Sequence, residues 1–382
     1  MSRRRRQALG FLTVLCLVAA GPLRADDRAD AADFAIKLQQ AINGGDADFM
    51  RERFAVGELL DRAMAGLEAE PTFEAEFRVD FANNFDLPGI LVQAVGAGGY
   101  YKFLRITPGE PLVARYRLST PQGLNYHDVY LRRAGDDWQV HDIYVYRTGE
   151  RLVNSIRRQY MPFAVKRNNP NGTGLTDFER AYVDNFPAIA EMTRQIIAGK
   201  GADGLATYET LPAILKKDKT LRLLRLRAAS SAGGDAWRAA VDDLRAAYPA
   251  DPSVDVAIFE GLYQQERYDE ALTTLEAIDR TVGGDPYLDV QRAGIHLKRG
   301  EIDAARALGQ KAATAEPDLV DAYWIQIVAD VRQKRYDDAV KVLNTMIAHN
   351  LQPPASLEKD RAHSDFIRSP QYQNWKRAQK ED

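Results

Sequence analysis

The sequence predicts an α+β domain, with helices on a curved antiparallel sheet, followed by an all-α array of paired helices. Three observations lead to this prediction. One helix-pair pattern recurs at a constant spacing in the second half, with alanines at 271, 305 and 339. Consecutive segments of alternating apolar and polar residues occupy the stretch from 100 to 146. A polar segment with one proline and two glycines, Lys166–Gly174, separates the two parts.

The start of the chain, 1–25, is predicted to be a signal peptide. Arg3–Arg6 form a basic start, Ala8–Ala20 form an apolar run, and cleavage is expected after Ala25 or after Ala20. A bilayer-spanning helix needs about 20 apolar residues, which is longer than this run. An uncleaved anchor is the alternative. The pattern therefore predicts a periplasmic or secreted protein.

Composition narrows the function classes. The chain has 382 residues, of which 45% are hydrophobic and 27% charged, as expected for a folded protein of two domains. Its single cysteine, Cys16, lies within the predicted signal, so disulfides and thiolate chemistry are not expected in the mature chain. Removing the five arginines of residues 1–25 changes the formal net charge from −3 to −8. An acidic chain without a basic tract argues against nucleic acid as a partner.

Residues 26–165 are predicted to form the α+β domain. Helical spacing runs from Asp30 to Ala65 and again from Phe73 to Phe85. Four strands joined by short turns then predict an antiparallel meander. In the second strand, apolar side chains face one side and two arginines face the other. The predicted strands are Tyr100–Thr107, Leu112–Ser119, Leu124–Arg132 and Trp138–Tyr146.

The run from Asp128 to Tyr160 carries a tryptophan–x–valine–x–aspartate strand, followed by a glycine, a leucine and an arginine. These residues are Trp138, Val140, Asp142, Gly149, Leu152 and Arg157. The run resembles the closing strands and helix of the cone-shaped, nuclear-transport-factor-2-like fold. More narrowly, it is similar to the periplasmic phospholipid-carrier (toluene-tolerance) proteins, although Ile143–Arg147 is richer in aromatic residues than that family. The resemblance implies a cone-like domain with a lipid or another apolar molecule as ligand.

A ligand-binding face is predicted on this sheet. If Arg132 pairs with Trp138, the register places Asp128 opposite Asp142. The residues expected to line the face are Tyr126, Asp128, Tyr130, Trp138, Asp142 and Tyr144.

Such a face has three interpretations. Paired carboxylates could act as an acid–base pair, as in ketosteroid-isomerase-type enzymes on this fold. An aromatic lining also suits a cavity for an apolar ligand. Alternatively, the aspartates accept hydrogen bonds from backbone or tyrosine hydroxyls, and the rings are core. His127 and His141 fall on the other face without a third ligand, so no metal site or cofactor is predicted.

The second half, residues 176–355 after a linker at 166–175, is predicted to be helical repeats. A bulky residue precedes each key alanine by three positions, at Tyr268, Ile302 and Tyr336. Helix–turn–helix units that recur at this spacing are typical of tetratricopeptide repeats. We expect three regular units and one divergent unit in a solenoid, preceded by a long helix from Thr176 to Ala198 and its partner, and capped by residues 356–382.

The tetratricopeptide resemblance also implies a groove. Its mixture of basic, aromatic and polar groups suits an extended peptide or an acidic segment. The alternative is a solvated surface with no specific ligand. The positions implied to face the groove are Arg222, Arg225, Glu260, Tyr263, Gln264, Lys298, Asp321, Trp324 and Arg332.

The sequence therefore predicts an exported, non-enzymatic interaction or scaffold protein with a protein or peptide partner in the cell envelope. The alternative function is a carrier for lipid or another apolar small molecule. The third is an isomerase- or hydrolase-like enzyme that uses Asp128 and Asp142. No catalytic residue is predicted under the first two.

Overall fold

The computed structural model describes residues 25–67, 69–121, 123–168, 174–249 and 251–381. The predicted signal peptide lies outside these residues except for Ala25, and so does the middle of the predicted linker. Within the described ranges, every helix is too short or too polar to cross a bilayer.

Helices make up most of the described chain up to Asn168. Helix α5, which contains Pro88 in its first turn, was not predicted. Proline is tolerated in the first turn of a helix, and Asp86 caps this one by accepting a hydrogen bond from the Gly89 backbone. The helices of this part are α1 Ala25–Asn43, α2 Ala47–Glu52, α3 Val56–Met64, α4 Pro71–Asn84, α5 Leu87–Gly96 and α6 Leu152–Asn168.

Between α5 and α6 lies a five-stranded sheet. Its strands follow one another in chain order and every neighbouring pair is antiparallel, so the predicted meander is confirmed. The predicted strands agree closely with the structure at both ends, apart from β5, which was not predicted. The strands are β1 Tyr100–Ile106, β2 Val113–Thr120, β3 Gly123–Ala134, β4 Asp137–Val145 and β5 Glu150–Arg151.

The predicted register between β3 and β4 is wrong. Trp138 pairs with Arg133 rather than Arg132. A further shift after Tyr130 then leaves Asp128 opposite Tyr144 and puts Asp142 opposite Tyr130. Such an irregularity inserts one extra residue into one strand, which the period-two pattern of the sequence does not reveal. The two aspartates are therefore not cross-strand partners.

One face of the sheet packs against α1–α6. Tyr116 and Val129 from the sheet and Leu38 from α1 are all fully buried in this core. The rings of Tyr101 and Tyr116 stack with centroids 4.6 Å apart. Phe73 and Phe77 of α4 pack on the ring of Tyr160. The space between helices and sheet is thus occupied by the domain's own aromatic side chains at these positions.

The rest of the described chain is helical, which confirms the predicted order of an α+β part followed by an all-α part. The predicted helix from Thr176 to Ala198 begins with a capping box between Thr176 and Glu179 but divides at Asn185, just before Pro187. The first helices of this part are α7 Asp177–Asp184, α8 Phe186–Ile197, α9 Gly201–Thr210 and α10 Ala213–Lys216.

Four helix pairs follow, and the two helices of each pair pack on each other, while α11 packs on α9 as well. Tyr268, Ile302 and Tyr336 are each the first residue of the second helix of a pair. The three alanines at 271, 305 and 339 are fully buried. The pairs are α11 Lys219–Ala232 with α12 Gly234–Ala247, α13 Pro252–Gln264 with α14 Tyr268–Val282, α15 Pro286–Arg299 with α16 Ile302–Ala315, and α17 Val320–Arg332 with α18 Tyr336–Ala348.

Three short helices close the described chain: α19 Ser356–Lys359, α20 Ser364–Arg368 and α21 Pro370–Glu381. Phe366 is fully buried and packs 5.5 Å from the ring of Tyr336, and the indole of Trp375 donates to Asn344 of α18. The tail thereby covers apolar surface of the last helix pair.

Candidate functional site

The second face of the sheet lies against the helical array, mostly at the amino-terminal ends of α11, α13, α15 and α17. Leu124, Tyr126 and Tyr146 of the sheet region share one apolar cluster with Leu223 of α11 and Val256 of α13. The turn residue Gly149 sits so close to Leu223 that a side chain there would collide with it. The α+β part and the array therefore form one packed unit.

A buried ion-pair network lies at the centre of this junction. Arg117 of β2 is fully buried and donates to Asp285 at 2.5 Å and to Glu316 at 2.7 Å. Tyr126 donates to the other oxygen of Asp285 at 2.8 Å, and the guanidinium lies 4.9 Å from the ring centre of Tyr287. Burial lowers the pKa of Arg117, but the two carboxylates outweigh burial and hold that pKa above its usual value.

More cations of the sheet reach the array around this centre. Arg105 donates to the backbone oxygens of Gly283 and Gly284, in the loop between α14 and α15. Lys102 lies 2.8 Å from Asp318, in the loop before α17. The basic side chains of the sheet thus contact backbone carbonyl groups and carboxylates of the array, so the sheet and the array are complementary in charge.

An open cleft of about 430 Å³ lies at the edge of the junction. The sheet contributes Asp128, Tyr130 and Tyr144 to it. The array contributes Tyr248 at the end of α12, then Pro249 and Asp251, and Pro252 as the first residue of α13. The lining residues are Asp128, Tyr130, Tyr144, Tyr248, Pro249, Asp251 and Pro252.

The predicted ligand-binding face is divided between two environments. Tyr126, Asp128, Tyr130 and Tyr144 face the array, whereas Trp138 belongs to the core beneath α1–α6.

Asp142 of β4 is fully buried next to the first turn of α6. It accepts hydrogen bonds from the backbone of Ile143 and Val153 and lies 3.9 Å from Arg62. Burial raises the pKa of Asp142. Asp142 is therefore a buried acceptor for backbone N–H groups. This agrees with the interpretation in which the aspartates accept hydrogen bonds from the backbone.

The two histidines of the sheet do not meet. His127 is buried between Asn125, 3.0 Å away, and the Tyr101 hydroxyl, 3.3 Å away, and burial lowers its pKa to about 4. His141 lies instead beside Glu58 of α3, at 3.5 Å. Among the residues that the structure describes, no group of three or more His, Cys, Asp or Glu side chains is placed to hold a metal ion.

The nine predicted groove residues are spread along the array. Arg222 and Arg225 both form ion pairs with Asp243 of α12. Glu260 lies against Gly123 at the β2–β3 turn, so this position faces the sheet. Tyr263 contacts the ring of Tyr268.

Gln264 is exposed, whereas Asp321 lies near Arg117 at the junction, where partial burial raises its pKa. These six positions therefore differ in what surrounds them, from ion pairs within the array to the sheet, the junction and solvent.

The remaining three predicted residues, Lys298, Trp324 and Arg332, form what we term the distal patch. Lys298 and Arg332 are exposed, and Arg332 donates to the backbone oxygen of Leu297, which adjoins Lys298. Trp324 is half-buried and meets His363 of the tail edge-on, with ring centres 5.2 Å apart. Within the described chain, neither Lys298 nor Arg332 has a carboxylate in ion-pair range. The patch therefore combines an aromatic side chain with two cations that are not neutralised.

Sequence reasoning missed the residues at the centre of the junction. Alternation correctly placed Arg117 on the face opposite the apolar side chains. Its burial, however, depends on the helical array packing against this face, and no local sequence pattern indicates where the array lies. One signal was present in the sequence. Asp285 directly precedes Pro286, the arrangement of a helix cap, and it is indeed the cap of α15.

The comparisons with known proteins give no family for this chain. No protein-family model matches it, and no curated protein matches it.

Proposed function

We propose that this protein is an exported, non-enzymatic interaction protein of the cell envelope, and that its distal patch docks a protein partner. The basic and apolar start of the chain supports export. The constant spacing of equivalent residues, which open the second helix of three successive pairs, supports four tetratricopeptide-like units in α11–α18. Contacts mainly between neighbouring helices suit a solenoid, in which each unit packs on the next.

The observation that carries the docking proposal is the difference between the basic residues of the first helix pair and those of the last two. Arg222 and Arg225 are neutralised by Asp243, and the sheet covers the array near Glu260. Lys298 and Arg332 instead remain exposed, and Arg332 shares the neighbour His363 with Trp324. Tryptophan and arginine dominate the energetics of many protein interfaces. Two exposed cations and an indole on neighbouring helices of the array fit an acidic peptide segment with an apolar side chain.

Charge reversal tests this proposal. The mature chain would be immobilised and exposed to envelope extract, in parallel with a Lys298→Glu/Arg332→Glu variant. We expect a partner retained by the unaltered chain to be lost from the variant, since like charges then face its acidic segment. Added salt should release the same partner, because exposed charges are screened.

The matched control reverses two exposed cations elsewhere on the array, Arg238 of α12 and Lys341 of α18, which are 58% and 75% exposed. Arg238→Glu/Lys341→Glu changes the net charge equally and should retain the partner. If both variants retain the same proteins as the unaltered chain, or both lose them, the distal patch is not the docking site.

A further inference from the structure

The open cleft at the edge of the junction is built from both parts of the chain and lies apart from the central ion-pair network. Three tyrosine rings face it, and Tyr130, Tyr144 and Tyr248 are each only half-buried. Two prolines of the segment that leads into α13 add flat apolar surface. Its volume of about 430 Å³ lies within the range of small-molecule sites, about 300–1,000 Å³.

The rings are held in place by contacts outside the cleft. The guanidinium of Arg151 lies 4.0 Å from the ring centre of Tyr130. Lys219 donates to the hydroxyl of Tyr144 at 3.0 Å, and the Tyr248 hydroxyl donates to the backbone oxygen of Lys217 at 2.6 Å. Because these side chains are already ordered, a ligand would lose little binding free energy in fixing them.

The two carboxylates of the cleft are already neutralised. Both oxygens of Asp128 accept from Arg115, at 2.7 and 2.8 Å. Asp251 accepts from Lys219 at 2.6 Å and from the Ser253 hydroxyl and backbone. Neither group therefore offers an unpaired negative charge to a cationic ligand. Tyr146 also donates to Asp128 at 3.2 Å, so each of the two carboxylates accepts three hydrogen bonds. A carboxylate has about four acceptor sites, so each retains one for a neutral hydroxyl donor.

We infer that this cleft binds a neutral saccharide chain. A pyranose ring presents an apolar C–H face, which can stack on a tyrosine ring. Its edge carries hydroxyl groups, which can donate hydrogen bonds to the ion-paired carboxylates. A proline-rich peptide is the other ligand that docks in aromatic clefts. Its backbone offers only carbonyl acceptors at proline positions, and these would meet the acceptors Asp128 and Asp251. The charge and hydrogen-bonding pattern favours the saccharide.

Isothermal titration of the full mature chain tests the inference. The probes are soluble tetrasaccharides of gluco, manno, galacto and N-acetylgluco configuration, with decaproline and choline as the competing ligand classes. We expect at least one tetrasaccharide to bind with a Kd below about 1 mM. Tyr130→Ala should weaken that binding about tenfold, because it removes a stacking surface.

Two further variants separate a binding role from a folding role. Tyr130→Phe keeps the ring and should keep the affinity, whereas Tyr263→Ala removes a half-buried tyrosine outside the cleft and should leave binding unchanged. The inference is overturned if no tetrasaccharide binds, if decaproline or choline binds more tightly, or if Tyr130→Ala binds as well as the unaltered chain. The cleft and the distal patch share no residue, so this result and the capture experiment are independent.

Discussion

The two faces of the sheet bury their side chains in opposite ways. The face beneath α1–α6 is apolar, with residues such as Tyr116, Val129 and Val140 fully buried. The face against the array buries Arg117 together with Asp285 and Glu316. The first face is buried by apolar packing, whereas the second adds paired charges to an apolar cluster that includes Leu124 and Tyr146.

This difference bears on how each contact is specified. Hydrophobic burial is non-directional and tolerates many arrangements. A buried charge is costly unless a partner of opposite charge meets it at short range. The apolar face thus stabilises the α+β domain, whereas the charged face favours one position of that domain on the array. We infer that the network around Arg117 fixes the orientation of the two parts.

The largest expected effect comes from removing the buried cation. Arg117→Ala leaves Asp285 and Glu316 buried without their partner, and breaking a buried pair in this way costs about 3–5 kcal/mol. Urea denaturation would measure the loss in free energy of unfolding. Arg132→Ala removes an arginine of an exposed pair with Glu58 and is expected to cost less than about 1 kcal/mol.

Neutralising the whole network sharpens this test. In Arg117→Met/Asp285→Asn/Glu316→Gln no charge of the network remains buried, and asparagine can still cap α15. We expect this triple variant to be more stable than Arg117→Ala. Equal stability of the triple and single variants would contradict the view that uncompensated charge causes the loss.

The apolar face is tested by a cavity. Leu38 of α1 is fully buried against the sheet, so Leu38→Ala should lower the free energy of unfolding by about 3 kcal/mol. Val79→Ala, at a position that is 62% exposed, is the control and should change little. If Leu38→Ala were as mild as the control, the core beneath α1–α6 would be loosely packed.

The contrast between the faces also explains what the sequence could predict. Alternation assigned Tyr116 and Arg117 to opposite faces correctly, because side-chain direction in a strand is a local property. That Arg117 is buried depends on Asp285 and Glu316, which lie far later in the chain, and a charged strand face ordinarily indicates solvent. The register failed at Tyr130 for a related reason, since an inserted residue depends on how the strands twist and pack.

The helical half shows the same division. Tyr268, Ile302 and Tyr336 opened equivalent helices as their spacing required, because each unit buries the same positions. The groove positions were less predictable. Glu260 faces the sheet of the same chain, whereas Trp324 meets the tail. The repeat pattern gives a residue its place within a unit but does not indicate what covers that unit.

One polar group within the apolar face gives a pH test. The pKa of His127 is lowered to about 4 by burial, whereas an unfolded histidine has a pKa of about 6.5. The unfolded chain therefore binds the proton more tightly, and stability falls as the pH drops through this window. We expect His127 to contribute a loss of about 2 kcal/mol between pH 7 and pH 5.

Urea denaturation at both pH values, on the unaltered chain and on His127→Gln, isolates this contribution. Glutamine keeps hydrogen-bonding groups but does not titrate, so the variant should lose less stability on acidification. Identical pH dependence in the two chains would mean that His127 is accessible to protons in the folded state.

The smallest expected effect concerns the rim of the charged face, where Lys102 meets Asp318 at 2.8 Å. Asp318 is 47% exposed, so water and salt screen this pair, unlike the pairs of Arg117. Lys102→Ala should lower the free energy of unfolding by about 0.5 kcal/mol at low salt, and the difference should vanish near about 1 M salt. A loss above about 2 kcal/mol that persists in salt would mean that the Lys102 pair is shielded from solvent, as the pairs of Arg117 are. The charged face would then not be exposed to solvent at this position.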